Sequence, residues 1–251
     1  RQHKVAHCFD GGSAAFRNRF ADSCDPTERG IMIPLPPEGV TAFLRACNPV
    51  DYSGFMEKMT LLGELLYETN ESFNLTAIKP DGFWCRHVAD SLSPAFAMPD
   101  FFKTPKHVCD LGCGAGFPSL VLAAAFPHCS FTPVDSTRKK VDYVNSAAEK
   151  LGLKNLKAVH ARGNELGRKV PYRHAYDCVT ARAVASSEIL IRESAGLLNR
   201  NGCLMVYRTP LQYEEELAFL EKNKKTVFET TDTFALPEDA GIRLFLLIRF
   251  R

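Results

Sequence analysis

The stretch Val108-Cys109-Asp110-Leu111-Gly112-Cys113-Gly114-Ala115-Gly116-Phe117 decides how the rest of the chain is read. An apolar run of strand character ends on an acid and three alternating glycines. A small apolar stretch, Ser119 to Phe126, follows and is closed by Pro127. After a strand, glycines at this spacing let the backbone turn sharply and lie against a ligand with no Cβ between, and the next helix opens on unpaired N–H groups. The pattern therefore predicts a nucleotide-cofactor loop. A dinucleotide loop is written G-x-G-x-x-G and faces a pyrophosphate. Here the order is D-x-G-x-G-x-G, with a carboxylate two residues before the first glycine. That carboxylate repels a pyrophosphate and attracts the ammonium of an aminoacyl cofactor, so the loop favours S-adenosylmethionine (AdoMet) over a nicotinamide dinucleotide. Asp110, Gly112 and Gly114 are the candidate contacts. Phe131-Thr132-Pro133-Val134-Asp135 reads as the next strand, and Asp135 at its end can accept hydrogen bonds from ribose hydroxyls. The plain alternative is a glycine-rich turn with no ligand.

Outward from this loop the chain alternates. Strand candidates are His107–Leu111, Ser130–Val134, Leu156–His160, Tyr176–Thr180 and Gly202–Tyr207. Between them lie the helical stretches Ser119–Phe126, Lys139–Leu151, a weak one near Asn164–Arg168, and Ser187–Leu198. Such alternation implies a parallel sheet covered on both faces. A helix at Tyr213–Lys222 is followed by strands Thr226–Thr231 and Ile242–Phe250. The link Ala235–Gly241 is too short for a crossover helix, so one C-terminal strand should be antiparallel. The expected fold is α/β, a Rossmann-like class I AdoMet-dependent methyltransferase. Its sheet is mostly parallel and seven-stranded with a C-terminal antiparallel hairpin, occupying residues 106–251. Pro133 removes a ladder donor, which predicts a bulge or an early strand end.

Residues 37–105 read as a small helical subdomain. A short helix spans Pro37–Ala46, and a longer one spans Tyr52–Thr69, with Phe55, Met59, Leu62 and Leu66 forming a packing stripe. A third stretch, Gly82–Phe96, carries Arg86, His87, Asp90 and Ser91 on adjacent turns. Residues 1–36 have no clear period and read as irregular. The chain does not open on Met, which suggests a trimmed or incomplete sequence.

Composition excludes several classes. The 251 residues are 45% hydrophobic and 24% charged, as in an ordinary globular protein. No apolar run reaches membrane-span length and the N-terminus lacks a signal-peptide core, so a cytoplasmic, non-membrane, monomeric protein is expected. Nine scattered cysteines without a C-x-x-C pair read as buried thiols, neither a disulfide frame nor metal ligands. Net charge is only +2, yet Asp135 to His174 holds ten Lys and Arg against four Asp and Glu. That surplus can meet phosphates, or form a solvated face.

Several separated motifs agree on one family: Phe73-Asn74-Leu75-Thr76-Ala77-Ile78; Arg86-His87 with Asp90-Ser91-Leu92; Asp110 through Pro118; Asp135-Ser136 with Arg138-Lys139-Lys140-Val141; and Ala181-Arg182-Ala183. From Tyr52 to Phe250 the chain resembles the RsmG (GidB) methyltransferases, which methylate guanine N7 in small-subunit (16S) ribosomal RNA. The resemblance implies AdoMet as cofactor, with Gly112 and Phe117 lining its methionine and adenosine parts and Gly163-Asn164 meeting the adenine. It places Arg182 at the cofactor and target edge, making it the one catalytic candidate, to orient guanine O6 or a phosphate. The small ribosomal subunit or its RNA is the implied partner, with Arg86, His87, Arg138, Lys139 and Arg208 as RNA contacts. The chain departs from the family at Tyr207-Arg208-Thr209, where Leu-Lys-Gly is usual, and at Pro118-Ser119, where Pro-Gly is usual.

Guanine N7 offers a lone pair and no proton, so no general base is required and no Ser-His-Asp set is expected. The competing readings are a methyltransferase for a protein or small molecule, a non-catalytic AdoMet-binding ribosome-assembly factor and, last, a nicotinamide enzyme.

Overall fold

The computed structural model describes residues 31–251; the sequence reading of residues 1–30 lies outside them, and 31–37 carry no helix or strand. The N-terminal part is helical. Helix α1 is Glu38–Ala46 and α2 is Tyr52–Asn70, capped by the Asp51 carboxylate, which accepts from Gly54 N–H at 3.0 Å. Phe83–Ala89 forms a π-helical stretch that runs directly into α3, Asp90–Ala97. The helical stretch expected over Gly82–Phe96 is thus present, with a π-helical first half. The extra residue per turn is a local widening that frequently marks functional positions.

The alternating part follows as β1 His107–Leu111, α4 Ser119–Ala125, β2 Ser130–Asp135, α5 Arg138–Lys150, β3 Val159–His160, α6 Gly163–Leu166, β4 Tyr176–Ala181 and α7 Ser187–Ser194. It continues with β5 Leu198–Arg208, α8 Pro210–Lys222, β6 Thr226–Thr230, β7 Phe234–Ala235 and β8 Ile242–Phe250. The sheet order is β3-β2-β1-β4-β5-β8-β6, with the two-residue β7 paired to β8 off this path. The first five strands are parallel, and β8 is antiparallel to both β5 and β6. The expected hairpin is therefore present, tightened by β7 and by Leu236 N–H donating to Gly241 O at 2.8 Å.

Side-chain alternation sorts the two faces. Cys109, Leu111, Val179, Ala181, Leu204 and Val206 point into one core cluster, which α6, α7 and α8 cover through Leu166, Leu190 and Leu220. Asp110, Thr180 and Tyr207 point the other way. There Ser119 of α4 bonds Asp110, and Ser91 of α3 accepts from the Tyr207 hydroxyl at 3.0 Å. The N-terminal helices are fastened to the C-terminal hairpin by an aromatic series. Phe43 stacks on Phe96 at 4.7 Å, Phe96 meets Phe234 at 5.6 Å, and Phe234 meets Phe245 at 5.8 Å. Residues Ile33–Arg251 form one compact unit.

Pro133 corrects the sequence reading: β2 neither bulges nor stops, but runs through to Asp135. Phe131 bonds toward the β3 side, accepting from Lys157 N–H and donating to Asn155 O, so by alternation Pro133 faces the same side. The disruption falls on β3 instead, which is reduced to two residues beyond the isolated bridge Phe131–Leu156. The Asn145 amide satisfies the Ala158 backbone in that gap, at 2.9 and 3.1 Å. At β5 the usual glycine is replaced by Thr209, which caps α8 in a reciprocal capping box with Gln212, with Pro210 at the first helical position.

Candidate active site

In an open parallel sheet, ligands bind beyond the carboxyl ends of the strands where the order reverses. In this chain the reversal lies between β1 and β4, and two cavities of about 510 and 600 Å³ meet there, sharing Gly112, Lys140 and Ala183 in their walls.

The glycine loop forms because three positions need left-handed backbone: Gly112, Gly114 and Gly116 have φ of 67°, 55° and 88°. The reasons differ. A Cβ at Gly116 would lie 2.4 Å from Leu120 Cδ1, so that glycine lets the loop pack on α4. At Gly114 a Cβ would meet nothing nearer than Gly112 O at 4.0 Å. The absent side chain there leaves a cradle open to a ligand. Asp135 holds the loop from β2, its two oxygens accepting from Gly114 N–H at 3.0 Å and Thr137 N–H at 2.8 Å.

Asp110 does not face the cavity as the sequence reading had it. Its carboxylate is 1% exposed, behind the loop, and accepts from the hydroxyls of Ser119 at 2.9 Å and Thr180 at 3.0 Å. Burial lifts its pKa from 3.8 to about 6, against the lowering effect of those two hydrogen bonds and of Arg182. Any influence on a bound ammonium acts through its field, not by contact.

The larger cavity receives Val134, Asp135, Ala161 and Gly163 from the strand ends and Ile189 from α7. Beside it, Asn164 N–H donates to Glu193 at 3.0 Å, while Asn164 Oδ1 is buried with no partner among the described residues. A slot that mixes apolar walls, Val134, Val184 and Ile189, with polar ones, Asp135 and Ser136 among them, and that has an orphaned acceptor beside it fits an adenosine. The open cradle at Gly114 fits the aminoacyl portion.

The other cavity lies between the loop and the N-terminal helices. Its walls include His87, Asp90, Phe117, Lys140, Arg182 and Arg243. Arg182 Nη1 donates to Asp90 at 3.1 Å and to Arg86 O at 3.2 Å, and its guanidinium sits 5.6 Å from the Phe117 ring centroid. The residue after it, Ala183, turns the chain with φ of 55°, a conformation that costs a non-glycine residue about 1 kcal/mol.

Two of the expected RNA contacts are corrected. His87 is 4% exposed, its Nε2 lies 2.9 Å from the Thr76 hydroxyl, and burial together with the Arg182 charge lowers its pKa to about 3. A neutral, buried imidazole does not hold a phosphate. Arg208 is also 4% exposed; it donates twice to Glu216 of α8 at 3.1 Å and once to Ala185 O at 2.8 Å. The larger guanidinium in place of the usual Lys is an internal tie between β5 and α8. Arg86, Arg138 and Lys139 are exposed, Lys139 lying 5.7 Å above the Phe73 ring. Arg86 is not bound to Asp90, one turn away. That carboxylate goes to Arg182 and Arg243. Lys140 and Arg243 are among the cavity residues that sequence reasoning missed. Lys140 was visible in the basic run after Asp135, whereas nothing local marks Arg243.

Among the described residues no group of three or more His, Cys, Asp or Glu is placed to hold a metal, and no helix is long and apolar enough to cross a membrane. The seven described cysteines are free and buried.

A parallel sheet ended by antiparallel β8, with a glycine loop after β1 and an acid closing β2 at the reversal point, defines a class I methyltransferase. The family model for rRNA small subunit methyltransferase G (GidB) matches residues 55–238. The chain belongs to that family. It is 40% identical over 182 residues to the ribosomal RNA small subunit methyltransferase G of Lysinibacillus sphaericus, covering 72% of this chain and 73% of that one. It is 37% identical over 194 residues to that of Geobacillus kaustophilus, covering 74% and 79%. A solved structure of a ribosomal protein L11 methylase from Lactobacillus delbrueckii is 19% identical with a TM-score of 0.48, over 64% of this chain and 78% of that one.

Proposed function

We propose that this protein transfers the methyl group of AdoMet to N7 of one guanine in small-subunit (16S) ribosomal RNA. The observation that carries this reading is the family match over residues 55–238, which takes in most of α2, the stretch carrying Arg86, His87 and Asp90, and the glycine-loop core. Across the two adjoining cavities the Gly114 cradle would hold the aminoacyl part, Asp135 the ribose, and Gly163 with Asn164 the adenine. AdoMet bound there would supply an electrophilic methyl group on its sulfonium sulfur, leaving as the neutral thioether when the S–CH3 bond is exchanged for a bond to the guanine N7 lone pair.

The protein's own work is alignment and exclusion of water. No proton leaves N7, so no general base is needed, in keeping with the neutral His87 already committed to Thr76. Arg182, fixed by Asp90 and Arg86 O and lying near Phe117, is placed to orient the target base or a phosphate beside it. Exposed Arg86, Arg138 and Lys139 meet backbone phosphates. The protein acts as a monomer in the cytoplasm, where small subunits are assembled.

Incubation with AdoMet carrying a labelled methyl group and unmodified small ribosomal subunits tests the reading. Label in the RNA supports it. Label in protein, or AdoMet binding without transfer, replaces it with a protein acceptor or an assembly role.

A further inference from the structure

We propose that Arg182 and Arg243 form a phosphate-binding subsite, organised by Asp90, that receives a backbone phosphate of the RNA strand carrying the target guanine. The inference rests on the methyl-transfer reading of the same cavity and adds a residue, Arg243, from the far end of the chain. Asp90 lies where the π-helical stretch becomes α3. Its Oδ2 accepts from Arg182 Nη1 at 3.1 Å, and its Oδ1 from Arg243 Nε at 2.9 Å. The three side chains come from three elements and are 9 to 21% exposed.

The charge count is unbalanced. Asp90 serves two guanidinium groups and Asp110, behind the loop, adds one more negative charge felt by Arg182, whereas Arg86 and Lys140 add two more cations to the same cavity wall, leaving four cations against two carboxylates. The buried Arg208 shows the balanced arrangement, with Glu216 as its own carboxylate. A partly buried charge without a counterion is costly, and an anion entering this cavity removes that cost. Donors remain for it: Arg182 Nε and Nη2 and Arg243 Nη2 donate to no described residue. Two planar guanidinium groups held by a common carboxylate suit the oxygens of a phosphate. Asp90 is then a positioning residue, and Arg243 a contact to substrate.

The test compares Arg243→Ala, Arg243→Lys and Asp90→Asn with the parent protein, using unmodified small ribosomal subunits and AdoMet. For Arg243→Ala the expected result is a rise of about tenfold in KM for subunits, with kcat and AdoMet affinity little changed. The slope of log KM against log salt should fall by about 0.7, as for one lost single-strand phosphate contact. Arg243→Lys keeps the charge and should keep the salt slope while losing part of the affinity. Asp90→Asn should raise KM for subunits without changing that slope, because both cations remain. The proposal is overturned if Arg243→Ala lowers thermal stability but leaves KM and salt slope unchanged, which would make the cluster a structural tie. It is equally overturned if AdoMet affinity falls in step with KM, because the anion would then be the cofactor carboxylate. If the parent protein methylates no RNA, the functional reading fails; if it does and Arg243 variants behave as the parent, only this inference fails.

Discussion

The imidazole of His87 lies against the ring of Phe117, centroids 4.3 Å apart and planes 22° from parallel, joining the N-terminal helices to the end of the glycine loop. The ring that looked like a phosphate contact in the sequence is part of the cleft wall. Its burial has a consequence for acid stability. In the folded protein the His87 pKa is lowered to about 3, whereas in the unfolded chain it returns to the ordinary 6.5. Between those values the unfolded chain binds a proton that the native protein excludes, so native stability falls as pH drops through this window. The expected loss approaches about 1 kcal/mol per pH unit below 6. His87→Phe removes it, and urea unfolding of parent and variant at pH 7, 5 and 4 measures the difference. Asp110, with its raised pKa, works in the opposite sense in both proteins and cancels in the comparison. Parallel pH profiles would contradict the assignment.

The loop glycines should separate into binding and packing roles. Gly114→Ala places a methyl in the open cradle at φ of 55°, with strain of about 1–2 kcal/mol. Its main expected effect is a loss of AdoMet affinity beyond tenfold by calorimetry. Gly116→Ala drives a Cβ into Leu120 and should cost about 3 kcal/mol in unfolding free energy. Equal losses of stability in the two variants would show that the cradle is filled by protein.

Arg208→Ala leaves the Glu216 carboxylate, 18% exposed, without its cation, at an expected cost of about 3 kcal/mol. KM for ribosomal subunits, measured well below the melting temperature, should stay unchanged. A raised KM with intact stability would return Arg208 to the RNA-contact role that its place after β5 first suggested.

Arg138→Ala combined with Lys139→Ala removes two exposed cations from the first turn of α5 without touching either cavity's walls. Subunit binding should weaken by about tenfold and lose salt sensitivity, each phosphate contact contributing roughly 0.7 to the slope. AdoMet affinity should hold. Normal RNA binding by the double variant would reduce the basic run to a solvated face.

What the sequence disclosed and what it hid divide along sequence separation. The loop, β1 and β2 were readable because Asp110 to Gly116 and Asp135 are local patterns with local geometry. The alternation after Lys106 gave the sheet its parallel character, and the seven-residue link Ala235–Gly241 gave the antiparallel end. The start of β5 was missed because Asn199-Arg200-Asn201 reads as a turn, although the strand runs from Leu198. The truncation of β3 was missed because its cause, Pro133, lies on the neighbouring strand. The Asp90–Arg243 pair joins residues 153 positions apart, and only the completed sheet brings them together. The burial of Arg208 was hidden for a similar reason: its partner sits two turns into a helix that had to dock first.

Methyl transfer to N7 of one guanine names both an atom and an acceptor. The most direct measurement maps the product: small subunits are methylated with AdoMet, their RNA is cleaved chemically at N7-methylguanine, and the break is located by primer extension. One new break is expected, at a single guanine of the small-subunit RNA, absent when Gly112→Val replaces the parent protein. Methyl incorporation with no such break, or breaks scattered over many guanines, would contradict it.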